Sequence, residues 1–179
     1  MEYVYKLNLP PLNKVLREDV LPKFERSYDH PIFTQCHPSE LIKPEFLTIN
    51  GIEWSFAINF YKPPGYIGLV HTDDVNPKSH AWGINWIWGA AGTIKYWHPG
   101  NITPIKQIPS AVTGELIGYY PSDIPCDVSY HMEPGVYLVN AKPPHQPISL
   151  GSRHCISLRP LAYDTPWETI VDLFKDYII

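Results

Sequence analysis

The residues of this 179-residue chain best suited to chemistry are His71, Asp73 and His145. His71-Thr72-Asp73 closes a run, Tyr66-Ile67-Gly68-Leu69-Val70, that reads as a strand. Residues two apart on a strand face the same side, so His71 and Asp73 can turn inward together and bind one ion. His145 directly follows Pro143-Pro144, at the start of a later strand region. Two histidines and one carboxylate can occupy one face of an octahedron. The other positions then stay open to substrate and oxygen, as in the facial triads of non-haem Fe(II) sites.

A second cluster follows. The strand Arg153-His154-Cys155-Ile156-Ser157-Leu158-Arg159 divides by parity, with Arg153, Cys155, Ser157 and Arg159 on one face. A guanidinium held inside a barrel needs a carboxylate, and a dicarboxylate ligand would provide one. Upstream, Asn59 and Tyr61 share a face of the strand that precedes His71, and both can hydrogen-bond a bound carboxylate or keto acid.

The positioning elements read as strands and turns. Candidate strands are 53–61, 66–73, 82–88, 93–98, 115–120, 135–140 and 153–158, rich in aromatic and β-branched residues. Proline and glycine breakers separate them, among them Lys62-Pro63-Pro64-Gly65 and Lys142-Pro143-Pro144. A helix is expected after Pro10-Pro11, where Leu12, Val15, Leu16, Val20 and Phe24 recur at roughly helical spacing. A last helix should start at Thr165-Pro166, with Thr165 and Glu168 forming a capping box. The fold class expected is mainly β: a jelly roll between N- and C-terminal helices.

Composition agrees. The chain carries 20 Pro, 12 Tyr and 6 Trp, and proline stands at about twice its ordinary ~5% share, which excludes a long-helix or coiled-coil protein. The net charge of −4 argues against a broad phosphate-binding surface. No apolar run approaches the ~20 residues that cross a bilayer, and no secretory signal is visible, so no membrane partner is expected. Cys36, Cys126 and Cys155 form no CxxC and are expected as reduced thiols in a cytoplasmic protein.

With these motifs in place, the chain resembles the Fe(II)/2-oxoglutarate-dependent dioxygenases. The carrying residues are Asn59-Phe60-Tyr61, Pro64-Gly65, His71-Thr72-Asp73, Pro144-His145, and Arg153 through Ser157 to Arg159. The resemblance spans about Trp54 to Pro160, within one domain covering 1–179 with a core at about 53–160. It implies a double-stranded β-helix, cupin-like in form. It implies Fe(II) on His71, Asp73 and His145, with 2-oxoglutarate and O2 as cosubstrates. Arg153 would pair with the 5-carboxylate, supported by Tyr61 or Ser157. The two arginines and the Asn-x-Tyr pair look most like the AlkB-type demethylases, which extends the cosubstrate contacts to Arg159 and Asn59. The short interval from His145 to Arg153 is nearer to prolyl-hydroxylase-like proteins, so which arginine makes the main salt bridge stays open.

The implied reaction couples decarboxylation of 2-oxoglutarate, releasing succinate and CO2, to hydroxylation of a substrate C–H bond. The Asp73 carboxylate leaves no ligand position for halide, which points to hydroxylation or demethylation rather than halogenation. A peptide side chain or small metabolite is the expected substrate. A nucleobase is the alternative, disfavoured by the acidic charge and the absence of a Lys/Arg cluster, although Lys62, Lys78 and Lys95 could converge in space. A non-catalytic, metal-binding cupin-like protein is the second alternative. The alternating Trp82, Ile84, Trp86 and Trp88 are expected to pack within the sheet, leaving Asn85 on the opposite face to line the site if that face turns inward. Tyr66 is a further candidate for the pocket. His30, His37, His80, His98 and His131 lack ligand spacing, and His154 has the wrong parity.

Overall fold

In the computed structural model, residues 2–111, 114–160 and 164–179 are described. The strands are β1 (Val4–Leu7), β2 (Ile32–Cys36), β3 (Thr48–Ile49), β4 (Ile52–Lys62), β5 (His71–Thr72), β6 (Trp82–Gly89) and β7 (Gly92–Tyr96). They continue with β8 (Lys106–Pro109), β9 (Leu116–Tyr119), β10 (Val128–Met132), β11 (Gly135–Asn140), β12 (His145–Ser149) and β13 (Arg153–Pro160). The helices are α1 (Leu12–Val15), α2 (Leu21–Phe24) and α3 (Trp167–Phe174).

Two antiparallel sheets face each other. One runs β1-β11-β6-β13-β4-β2, with β3 pairing β4, and the other β10-β7-β12-β5-β9-β8. From β4 to β7 the chain changes sheet at every step, and from β10 to β13 it does so again. That alternation defines a jelly roll, the double-stranded β-helix expected from the sequence. It brings β5 and β12, far apart in the chain, into one ladder where His71 pairs directly with His145.

The first sheet has two chemically distinct faces. Its outer face carries Trp82, Ile84, Trp86, Ile156 and Leu158 against Leu12, Val15, Phe24, Ile170 and Phe174 of the helices. The tryptophan alternation is therefore packing, and burial of these rings is a main driving force for the fold. The inner face of the same strands holds the cavity described below. At one edge the sheets close on each other, with the Tyr3 amide donating to the Tyr130 hydroxyl at 3.1 Å and the Tyr3 and Tyr96 rings 4.8 Å apart.

Three local expectations are corrected. The apolar residues from Leu12 to Phe24 are buried together, but two single turns carry them instead of one helix. Leu16, which ends the first turn, is extended, and Pro22 sits in the first turn of the second, where its missing amide donor is tolerated. The final helix starts one residue later than expected, at Trp167, with Pro166 at its N-cap and no side-chain cap. Thr165 instead bonds Asp164. Of the run 66–73, only His71 and Thr72 form regular ladder, because Pro147 opposite Gly68 has no N–H to give. Among the described residues, no helix is long and apolar enough to cross a membrane.

Candidate metal centre and binding cavity

His71 and Asp73 turn to the same side, as their spacing predicts, and His145 meets them from β12. The His71 and His145 ring centroids lie 4.5 Å apart. Each imidazole is held through Nδ1: His71 to the Leu69 carbonyl at 2.8 Å, His145 to the Pro143 carbonyl at 3.0 Å. A carbonyl only accepts, so Nδ1 carries the hydrogen and the Nε2 lone pair is free to ligate. Those lone pairs converge on Asp73 Oδ1, with Nε2 of His71 at 3.4 Å and Nε2 of His145 at 3.7 Å. Two ligand atoms at right angles about a metal, each bonded at ~2.1 Å, stand about 3 Å apart. All the ligand atoms lie within 4.8 Å of one another, a group that can hold a metal ion.

The other carboxylate oxygen of Asp73 is taken. Arg159 Nη2 donates to Oδ2 at 2.7 Å. Burial pushes the Asp73 carboxyl up, but the Arg159 guanidinium, with His71 and His145, outweighs burial and holds it well below the usual carboxylate range. For His145, burial and the neighbouring His71 disfavour the charged ring and lower it to about 3. Near neutral pH the centre therefore presents one carboxylate and a neutral His145 lone pair, the protonation states a divalent metal requires.

A cavity of about 460 Å³ extends from this centre between the sheets, lined by Asn85, Tyr66, Phe60, Lys62 and Arg153 among others. Its floor is the inner face of β11, β6, β13 and β4, and the strand register arranges it in rows. Arg159 lies opposite Phe56; Ser157 lies between Asn85 and Ile58; Cys155 lies between Ile87 and Phe60; Arg153 lies between Gly89 and Lys62. Successive rows are about 7 Å apart.

Arg153 and Lys62 thus form a cross-strand pair of like charge, which on its own is unfavourable. Arg153 is 7% exposed, and among the described residues no carboxylate lies within ion-pairing distance of either cation. Arg153 Nη2 contacts the Met132 sulfur at 4.0 Å. Burial, with Arg153 beside it, lowers Lys62 to about 8 although Cys155 and Asp73 act to raise it. Room for the arginines comes from glycines. A Cβ on Gly83 would stand 2.9 Å from Arg159 Cδ, and one on Gly92 would overlap the Arg153 guanidinium.

Of the expected site residues, His71, Asp73, His145, Arg153 and Arg159 surround one cavity, and Tyr66 and Asn85 line it. Ser157 shares the floor row of Asn85 and Ile58 but is fully buried and does not reach the cavity surface, its hydroxyl without a partner among the described residues. Asn59 and Tyr61 are corrected: they face the other way. Asn59 pairs with Ile156 and Tyr61 with His154, both outer-face residues, whereas Phe60 and Lys62 pair with inward Cys155 and Arg153. Tyr61 packs on Tyr28 and His154, and its hydroxyl bonds Ser152 at 3.2 Å. Lys62 is a cavity-lining cation that the sequence alone did not assign to the site. Its parity with Phe60, once β4 is known to bury Phe60 inward, identifies it. His154 donates through Nε2 to the Arg26 carbonyl, outside the cavity.

No protein-family model matches the chain, and no curated protein matches it in sequence. Similar solved structures include E. coli YcfD, 13% identical over 84% of this chain and 40% of that one, with a TM-score of 0.47. Another is an uncharacterised Klebsiella pneumoniae protein with a double-stranded beta-helix domain, 10% identical over 88% of this chain and 92% of that one, with a TM-score of 0.41. Vicilin from hazelnut, Corylus avellana, is 13% identical over 76% of this chain and 31% of that one, with a TM-score of 0.42. The chain spans about a third of that vicilin and two-fifths of YcfD. The class established here is the cupin-like double-stranded β-helix with a His-Asp-His cluster able to hold a metal ion.

Proposed function

We propose that the protein is an Fe(II)- and 2-oxoglutarate-dependent dioxygenase that hydroxylates a C–H bond of a peptide side chain or small metabolite. The observation that carries this reading is the polarity of the cavity floor. A three-residue ligand set stands at one end, a cation pair with no acidic partner among the described residues at the other, and Cys155 and Phe60 between them. A short linear dicarboxylate with a metal-chelating head has the same pattern: polar head, methylenes, distal carboxylate. The Cα atoms of Arg159 and Arg153 are about 20 Å apart along β13, a gap that the long side chains shorten.

Iron bound at the triad supplies O2 activation coupled to decarboxylation of 2-oxoglutarate. The chain's own work is binding and positioning. His71, Asp73 and His145 would hold the metal. Arg159 occupies Asp73 Oδ2, so the carboxylate offers one oxygen. Arg153 and Lys62 hold the distal carboxylate in a dry site where charge-assisted bonds are strong. The sheets exclude water around the reacting end. A cupin that binds only a metal would leave Arg153 and Lys62 without a carboxylate partner in the cavity. The unpaired thiols of Cys36, Cys126 and Cys155 fit a cytoplasmic setting.

The test is calorimetric titration of Mn(II)-loaded protein with 2-oxoglutarate under argon. Saturable one-to-one binding that Arg153→Met weakens supports the reading. Absence of binding by the wild-type protein, or binding unaffected by Arg153→Met, refutes it.

A further inference from the structure

The run 66–70 leads into His71 and is paired along one side only. Toward β12, the Gly68 amide donates to the Pro147 carbonyl and the Ser149 amide to the Tyr66 carbonyl, each at 2.9 Å. These bonds flank the Ile67–Ile148 pair, so the Ile67 N–H and C=O point the other way. On that other side the chain leaving β9 stops pairing early. The Tyr120 amide donates to the Val70 carbonyl at 3.0 Å, and the next residue, Pro121, has no amide to give. Among the described residues, no backbone group bonds the Ile67 N–H, the Ile67 C=O or the Leu69 N–H. The Ile67 and Leu69 side chains are 66% and 68% exposed. Between the Ile67–Ile148 and His71–His145 pairs this strand advances four residues against three on β12, a bulge that re-aims side chains. Leu69 is thus exposed and yet lines the cavity. Phe33, 39% exposed, lines it from β2, which places both at the rim.

We propose that this free edge docks an extended peptide, so that the group hydroxylated is a side chain carried on a peptide strand. The docking stands on the edge itself; the hydroxylation rests on the oxygenase reading above. A peptide that pairs with Ile67 adds a strand beside the one that carries His71, and its alternate side chains point to the cavity and to solvent. Apolar side chains of that peptide lie against Leu69 and Phe33 at the rim. Ile67 is outside the cavity lining, so a metabolite enclosed in the cavity would not touch it. From Tyr66 to Val70 the edge has no charge and no proline, the devices with which proteins usually guard a free edge. A second copy of this chain fits less well. Residues 67–69 span about 10 Å, a short ladder against the ~800 Å² that each partner buries in a stable dimer.

The probe is an array of short blocked peptides of random sequence, screened with Mn(II)-loaded wild type in 2-oxoglutarate under argon; the strongest binders are resynthesised and titrated. Ile67→Pro removes the outward amide and keeps the bonds to β12, which belong to Gly68 and Tyr66. Ile67→Lys keeps the backbone and guards the edge with a charge. The expected result is that the binders share apolar residues at alternate positions and lose about tenfold or more in affinity for either variant. N-methylation of one peptide amide costs as much, and bound peptide slows hydrogen exchange of the Ile67 amide. Both variants keep their 2-oxoglutarate affinity within about twofold. The proposal is overturned if no peptide binds wild type, if the binders hold equally to both variants, or if N-methylation at every position is harmless. A concentration-dependent wild-type dimer that Ile67→Lys abolishes overturns it in favour of a second copy. Peptide docking by a protein that binds no 2-oxoglutarate keeps the edge and removes the oxygenase reading; 2-oxoglutarate binding without peptide docking does the reverse.

Discussion

Asp73 and Arg159 meet across the cavity, with Arg159 Nη2 2.7 Å from Asp73 Oδ2, while Oδ1 faces the two imidazoles. The arginine comes from β13 in one sheet, and the carboxylate lies one residue beyond β5 in the other. The pair joins the sheets at the metal end and fixes which oxygen of Asp73 can ligate.

In the proposed metal site Arg159 is therefore a positioning residue, acting through the Asp73 carboxylate. Arg159→Met should weaken divalent-metal affinity about 10–100-fold, the usual effect of removing a partner that orients a ligand. Competition against a chelator of known affinity measures it, and unchanged affinity would show that Asp73 orients itself.

Acid should destabilise the metal-free protein in two stages. His145 titrates near 6.5 when unfolded and at about 3 when folded, so between those values the unfolded chain binds a proton that the folded one refuses. Stability then falls as the pH is lowered through that window, by up to about 1.4 kcal/mol per unit. Asp73, held low in the folded state, contributes stability that is present above its unfolded value of 3.8 and is lost only further into acid. Urea midpoints between pH 7 and pH 4 should decline for wild type and flatten for His145→Gln; parallel curves would contradict the assignment.

Lys62→Met should have opposite effects on stability and binding. Relieving the like-charge pair with Arg153 should raise stability in the absence of ligand by up to about 1 kcal/mol. The same change should lower 2-oxoglutarate affinity about tenfold, and Arg153→Met should lower it by more, near 30-fold. Thermal melts and titrations on the same samples separate the two effects. Loss of both stability and affinity would assign Lys62 a packing role instead.

Tyr61→Phe and Asn59→Ala should leave dicarboxylate affinity within about twofold. Tyr61→Phe removes the bond to Ser152 and should cost about 1 kcal/mol of stability. A tenfold loss of affinity in either variant would place that residue back at the ligand.

Much of this was legible in the sequence because strand parity is a strict rule. The two-residue spacing of His71 and Asp73, and the alternation through β13, survive in the structure unchanged. Parity states which residues share a face; it does not state which face is inside. β4 is apolar on both sides, with Trp54, Ala57 and Tyr61 buried outward and Phe56, Ile58 and Phe60 inward, so Asn59 and Tyr61 carried no local sign of direction. The register with β13 decides it, and register is a tertiary property. The same limit hid Lys62 and the broken ladder at Pro147, whose effect depends on what lies across from it. The proline excess nevertheless marks places that matter: Pro143 supplies the carbonyl that orients His145, and Pro147 stands against Gly68.

The most direct test of the central claim is aerobic incubation of the purified protein with Fe(II), ascorbate and 1-carbon-labelled 2-oxoglutarate, measuring labelled CO2 and succinate. Slow, iron-dependent, equimolar release of both by wild type, absent in the His71→Ala/Asp73→Ala double variant and in Arg153→Met, is the predicted result. No succinate above the double-variant control would contradict the oxygenase account and leave a metal-binding jelly roll.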